Sequence, residues 1–155
     1  MSGVELIVDD PAWRSSLNNA SRLVARCFAS ARALEPRLAG SIALLLTSDE
    51  RVAELNERFR GKRGATNVLA FPSGGSSDEF LGDIALAHDL CLAEAVAKDI
   101  SMERHAAHLI IHGLLHLVGY DHDTEPAAVA MESLETKILG ELGVPDPHVG
   151  QGASN

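Results

Sequence analysis

Apolar residues along this chain follow two kinds of pattern, short continuous runs and longer stretches with helical spacing. The short runs are typical of strands in a sheet, and they occupy 4–8, 41–46, 67–71 and 82–86. The longer stretches place apolar residues on one helical face and predict helices at 12–34, 48–55, 90–97, 101–118 and 124–142. Because strands and helices are mixed, we expect an α/β (α+β) fold, a small mixed sheet with helices packed on it.

The length and the composition set the expected domain limits. The sequence has 155 residues and no internal repeat or linker, which fits a single domain at 1–144. The segment 145–155 is rich in Gly, Pro and polar residues, so we expect a flexible tail. The apolar runs are far shorter than the ~20 residues that cross a bilayer, and no secretion signal is visible. We therefore expect a cytoplasmic protein without a membrane partner, with Cys27 and Cys91 packed as free thiols.

The chain is acidic overall, but several of its basic residues are concentrated in one segment. The net charge is −9, and an acidic surface disfavours DNA and other polyanions in general. Four of the thirteen basic residues nevertheless lie within six positions, and they are Arg58, Arg60, Lys62 and Arg63. This basic cluster is the part of the chain best suited to contact a polyanionic substrate.

The strongest chemical signal is a group of histidines at the end of the helix predicted at 101–118. His112 and His116 are four residues apart, so both imidazoles lie on one helical face. Gly119 is placed to end the helix, and the turn after it can return His122 toward the same point. Three imidazoles with one open position suit a catalytic zinc, and the metzincin proteases use the same zincin-like spacing. We expect one Zn²⁺ per chain on these three residues.

The remaining histidines lack this ligand pattern. The helix at 101–118 is apolar nearly all round, which predicts that it is buried and that its histidines need partners. His105 and His108 precede the ligands on this helix, and we interpret them as structural residues or as supports of the ligands. His88 and His148 have no companions, and we expect them on the surface.

One position departs from the zincin pattern. Zincin proteases carry a glutamate, the general base, directly after the first histidine, whereas this chain has Gly113 there. Peptide hydrolysis by that mechanism therefore lacks its base. The chemistry must rely on the metal, helped by a group from elsewhere in the chain.

The segment from His112 to His122, HGLLHLVGYDH, resembles the signature of the YbeY family of bacterial metal-dependent endoribonucleases. The similarity extends over most of the chain through weaker blocks in the family's order. These blocks are 55–56 with 60–62, 66–72, 81–84 and 131–135. Ala70 departs from the family, which usually has a serine there, so the strand lacks that hydroxyl.

The resemblance implies cleavage of single-stranded RNA, with roles in 3′-end maturation of small-subunit ribosomal RNA and in ribosome quality control. It also implies zinc on the three histidines and an arginine important for activity at the position of Arg60. The chemistry of Arg60 agrees, since a guanidinium in a loop near the metal can stabilise two phosphoryl oxygens of the transition state. We expect Arg58, Lys62 and Arg63 to bind the substrate by general attraction to phosphate.

Two other functions are compatible with the sequence. A zincin-like metallopeptidase would share the ligand spacing, but Gly113 argues against it. A non-catalytic ribosome assembly factor would hold a structural metal, with four protein ligands and no open position.

Overall fold

A computed structural model of the chain describes residues 3–73 and 79–147. Within these ranges the strands are β1 Gly3–Val8, β2 Ser41–Thr47, β3 Val68–Pro72 and β4 Phe80–Ala87. The helices of the described residues are α1 Ala12–Ser16, α2 Ala20–Leu34, α3 Asp49–Arg60, α4 His88–Lys98, α5 Met102–Leu117 and α6 Glu125–Glu141. In the part of the chain that is described, no helix combines the length and the hydropathy needed to span a bilayer.

The described strands form one mixed sheet in the order β1-β2-β4-β3. β1, β2 and β4 run parallel, whereas β3 pairs antiparallel with β4 and forms one edge. Leu44 in β2 pairs with Leu6 on one side and with Ile84 on the other. Parallel neighbours require crossover connections, which the helices between them supply. The mixed sheet with helices packed on it confirms the predicted fold class.

The two faces of the sheet pack against different helices. Ile42, Leu44 and Leu46 alternate along β2 and join one large core with residues of α2, α5 and α6. On the opposite face, Ala85 of β4 packs in a smaller cluster with Val52 of α3. As a result, α5 lies on one side of the sheet near β3 and β4, and α3 lies on the other side.

The central helix α5 is buried, as its apolar sequence predicts. Its N-cap is Ser101, whose side chain accepts a hydrogen bond from the backbone N–H of Arg104 at 3.1 Å. Gly119 follows the helix with φ 101°, a left-handed conformation that favours glycine and ends α5 where we expected. The largest fully buried side chains of α5 are Ile110, Ile111, Leu114 and Leu115.

The continuous helix predicted at 12–34 is wrong, because α1 and α2 are separate helices. Leu17 adopts an extended backbone, with φ −120° and ψ 133°, and ends α1. Asn19 then begins α2, and its side chain accepts a hydrogen bond from the backbone N–H of Arg22 at 3.0 Å. An asparagine that satisfies the first N–H groups of a new helix stabilises the break.

The helix predicted to end at Leu55 is also wrong, because α3 continues to Arg60. Gly61 ends it with φ 66°, and its N–H donates to the carbonyl of Glu57 at 3.1 Å. The segment beyond is held by Asn56, whose side-chain amide donates to the carbonyl of Gly64 at 2.9 Å. Arg60 therefore lies in the last turn of a helix and not in the loop we expected.

His88 is buried, so its predicted surface position is wrong. Its Nε2 hydrogen-bonds with Ser16 Oγ at 2.6 Å, and its Nδ1 lies 2.8 Å from a carboxylate oxygen of Asp89. The ring also packs edge-on against Trp13, with 5.1 Å between the ring centroids. These partners offset the cost of burying an imidazole.

Cys27 and Cys91 are free and buried, as expected. Burial raises the pKa of the Cys27 thiol to about 12, so the thiol stays protonated at neutral pH. The domain limits at 1–144 and 145–155 stay a prediction. Most of the expected tail lies outside the described residues, as does His148.

Candidate metal centre and basic cleft

The structure brings His112, His116 and His122 together. Each offers one ligand nitrogen, and these three atoms all lie within 4.8 Å of one another. The Nε2 atoms of His112 and His116 are 3.0 Å apart. Two nitrogens bound tetrahedrally to one zinc at about 2.1 Å would lie about 3.4 Å apart, so the donor set fits a divalent metal with small side-chain adjustments. Within the described ranges this is the one group of three His, Cys, Asp or Glu residues that could hold a metal ion.

Two elements position these ligands. His112 and His116 project from adjacent turns of α5, because residues four apart share a helical face. The chain then reverses through Gly119, whose N–H donates to the carbonyl of His116 at 3.1 Å. The N–H of Tyr120 closes the same turn on the carbonyl of Leu115 at 3.0 Å. His122 is exposed, whereas the two helical ligands are half-buried.

The electrostatics around His116 favour its neutral imidazole, the form that binds metal. Burial lowers the pKa of His116, and the neighbouring charges of His112 and His122 lower it further. A hydrogen bond with the backbone of Tyr120 and the charge of Glu135 act in the opposite direction but do not outweigh these effects. At neutral pH His116 therefore offers a lone pair without first having to lose a proton.

Glu135 on α6 contacts this centre, and the sequence analysis assigned it no role. One carboxylate oxygen lies 2.5 Å from Nδ1 of His112, and the other lies 3.3 Å from Nε2 of His108. Burial alone would raise the pKa of Glu135, but hydrogen bonds from these two histidines outweigh burial and lower it to about 2. The buried carboxylate is therefore ionised. Its partners are 23 and 27 residues away, so no local spacing could reveal the contact.

His105 belongs to a second polar network on the same helix. Its Nε2 lies 2.7 Å from a carboxylate oxygen of Glu94 in α4. Asn67 directly precedes β3, and its side chain donates a hydrogen bond to the same carboxylate at 3.0 Å. This network fixes the start of β3 beside α5, which agrees with the structural role expected for His105.

A cleft of about 460 Å³ opens beside the three histidines. Arg60 and Lys62 line it from the end of α3 and the loop beyond, although α3 itself packs on the opposite face of the sheet. The full lining is Asn56, Arg60, Lys62, Thr66, Asn67, Val68, Leu69, Ala70, Pro72, His112, Gly113, His116, Asp121, His122 and Asp123. The cleft therefore combines the candidate metal ligands with two residues of the basic cluster.

The other two residues of the basic cluster lie elsewhere. Arg58 lines a separate cleft on the α3 side of the sheet, and its guanidinium lies 5.6 Å from the ring centroid of Phe59. Arg63 is exposed in the loop and does not line the histidine cleft. Two acidic residues that the sequence analysis did not single out, Asp121 and Asp123, flank His122 at the cleft.

Gly113 lines the histidine cleft and also packs against β4. A Cβ atom at this position would meet the Cγ2 of Ile84 at 3.0 Å and its Cδ1 at 3.2 Å. A side chain here would require Ile84 to shift by a few tenths of an ångström. The glutamate of the zincin proteases would therefore make a close contact with Ile84 at its Cβ atom.

The fold and the site together combine a three-histidine group that could hold a metal with a cleft lined by two basic and two acidic side chains. The family model described as Endoribonuclease YbeY matches residues 9–143. A Maricaulis maris protein named Endoribonuclease YbeY is 50% identical, over 96% of this chain and 92% of that protein. A protein of the same name from Sphingopyxis alaskensis is 43% identical, over 90% of this chain and 93% of its own length. The chain belongs to the YbeY family of endoribonucleases.

A solved structure agrees with this fold. The solution structure of TM1509 from Thermotoga maritima aligns with a TM-score of 0.58, covering 90% of this chain and 91% of that one. The two sequences are 21% identical, so this likeness bears on the fold alone.

Proposed function

We propose that this chain is a single-strand-specific, zinc-dependent endoribonuclease that matures the 3′ end of small-subunit ribosomal RNA. We further propose that it acts in ribosome quality control in the cytoplasm. Family membership supplies the enzyme class, a hydrolase of RNA phosphodiester bonds. The observation that carries the residue assignment is the shared cleft, which Arg60 and Lys62 line together with His112, His116 and His122.

The three histidines would hold the metal ion in this proposal. When bound, the ion supplies Lewis-acid chemistry, by which it activates water and stabilises negative charge on a phosphoryl group. The imidazole nitrogens bind it in their neutral form, and half-burial of two of them limits competition from bulk water. With three protein ligands, one coordination position stays open for substrate.

Arg60 would orient and stabilise the reacting phosphate. Its guanidinium presents donors in a planar fork that matches two phosphoryl oxygens, so it stabilises charge that develops during phosphodiester cleavage. Lys62 lines the same cleft and would attract the RNA backbone as a point charge. A cleft of about 460 Å³ has the size of a small-ligand site, which suits an unpaired nucleotide better than a duplex. Arg58 and Arg63 lie outside this cleft, and we propose that they attract the RNA backbone more weakly and from a greater distance.

The test is cleavage of a matched pair of RNAs by the purified protein. We expect single-stranded RNA to be cut and its duplex to survive. A chelator should abolish cutting, and added Zn²⁺ should restore it. Turnover of casein with intact RNA would favour the metallopeptidase alternative. Tight Zn²⁺ binding without cleavage of any RNA would favour the assembly factor with a structural metal.

A further inference from the structure

The carboxylate of Glu135 joins two histidines across the interface between α5 and α6. Glu135 is 1% exposed, and its neighbours on α6 include the buried side chains of Met131, Ile138 and Leu139. One carboxylate oxygen hydrogen-bonds with His112 Nδ1, and the other hydrogen-bonds with His108 Nε2. Both oxygens of the carboxylate therefore have a histidine partner. An apolar side chain would fill such a core position without the cost of burying a charge.

The orientation of His112 depends on this contact. A neutral imidazole carries its proton on one nitrogen only, and a carboxylate can only accept it. A proton on Nδ1, facing Glu135, leaves the lone pair on Nε2. That Nε2 is the atom that lies 3.0 Å from Nε2 of His116 within the ligand group.

We propose that Glu135 is a positioning residue of the metal centre, which fixes the tautomer and the ring orientation of His112. His108 holds the second carboxylate oxygen and so limits the rotation of Glu135. Glu135 acts through His112 and does not itself belong to the three-ligand group. Carboxylates that orient ligating histidines typically contribute 10–100-fold to metal affinity. The inference rests on the metal site of the proposed function.

The experiment compares Glu135→Leu, Glu135→Gln and the parent protein. Leucine removes every acceptor, whereas glutamine keeps one oxygen that His112 can use. We expect Zn²⁺ affinity, measured by competition with a chromophoric chelator, to fall about 10–100-fold in Glu135→Leu and less in Glu135→Gln. Glu141→Leu is the matched control, since Glu141 is exposed at the end of the same helix, and it should bind Zn²⁺ like the parent.

A second readout needs no metal. In the metal-free parent, ¹⁵N NMR should find the His112 proton on Nδ1, and in Glu135→Leu this preference should disappear. Equal Zn²⁺ affinity in the parent and Glu135→Leu would overturn the inference, and so would an unchanged tautomer. If circular dichroism shows that Glu135→Leu is unfolded, the Zn²⁺ affinity and the His112 tautomer of Glu135→Gln test the inference instead. If the parent itself does not bind Zn²⁺, the proposed metal site is wrong. The NMR measurement of the His112 tautomer then tests the role of Glu135 by itself.

Discussion

Replacing Arg60 with alanine should lower the rate of RNA cleavage by about 10²–10³-fold, the typical loss when one donor to a developing oxyanion is removed. The fold and the metal content should not change, because Arg60 is exposed at the end of α3 and lies outside the three-histidine group. The measurement is the single-turnover rate on a single-stranded RNA, with Zn²⁺ quantified in the same samples.

Two companion variants separate geometry from charge. Arg60→Lys keeps the charge but loses the bidentate fork, so it should recover little of the rate. Arg51→Ala removes an exposed arginine from the same helix, outside the histidine cleft, and should cleave like the parent. Parental cleavage by Arg60→Lys would refute the bidentate role of Arg60 at the phosphate.

Removing the three histidines together should have the largest effect of all. A variant with alanine at 112, 116 and 122 should lose its bound metal, and RNA cleavage should become undetectable. Its stability should not respond to added metal, because metal that binds only the folded state stabilises it by mass action and the variant has lost the binding site. At a free metal concentration of 100 times Kd, the parent should gain about 2.7 kcal/mol that the variant cannot gain.

The measurements are elemental analysis and thermal unfolding with and without added Zn²⁺. The control is the parent protein with chelator, whose melting temperature should fall below that of the metal-loaded parent. Full metal stoichiometry in the triple variant would show that the ion binds elsewhere in the protein. An equal rise in melting temperature on adding Zn²⁺ to both proteins would lead to the same conclusion.

The candidate ligands could be predicted because their signal is local. His112, His116, Gly119 and His122 lie within eleven residues, and helical spacing with one glycine turn is enough to bring the imidazoles together. The buried character of α5 also follows from its own apolar sequence. The mixed sheet could be predicted as a class, whereas its strand order depends on pairings between distant segments.

The features that the sequence could not reveal depend on packing between distant segments, or on competition between alternative local structures. The contact of Glu135 with His112 forms only when α6 packs on α5, because the two residues are 23 positions apart in the sequence. The break before Asn19 depends on a capping hydrogen bond that competes with a continuous helix of similar apolar pattern. The steric limit at Gly113 comes from Ile84 on β4, and no spacing within α5 encodes it.

The order of the elements along the chain has a consequence for how the protein is made. β1, β2, β3 and β4 all precede the histidine segment, and α6 with Glu135 follows it. During synthesis the strands therefore emerge before any of the three ligands, and the carboxylate behind His112 emerges after them. In the proposed function, metal capture is thus a late event on a sheet already available for pairing, and we expect the chain to fold without the ion, unlike small zinc domains. We therefore expect a shortage of the proposed ion to leave folded but inactive protein rather than unfolded chains.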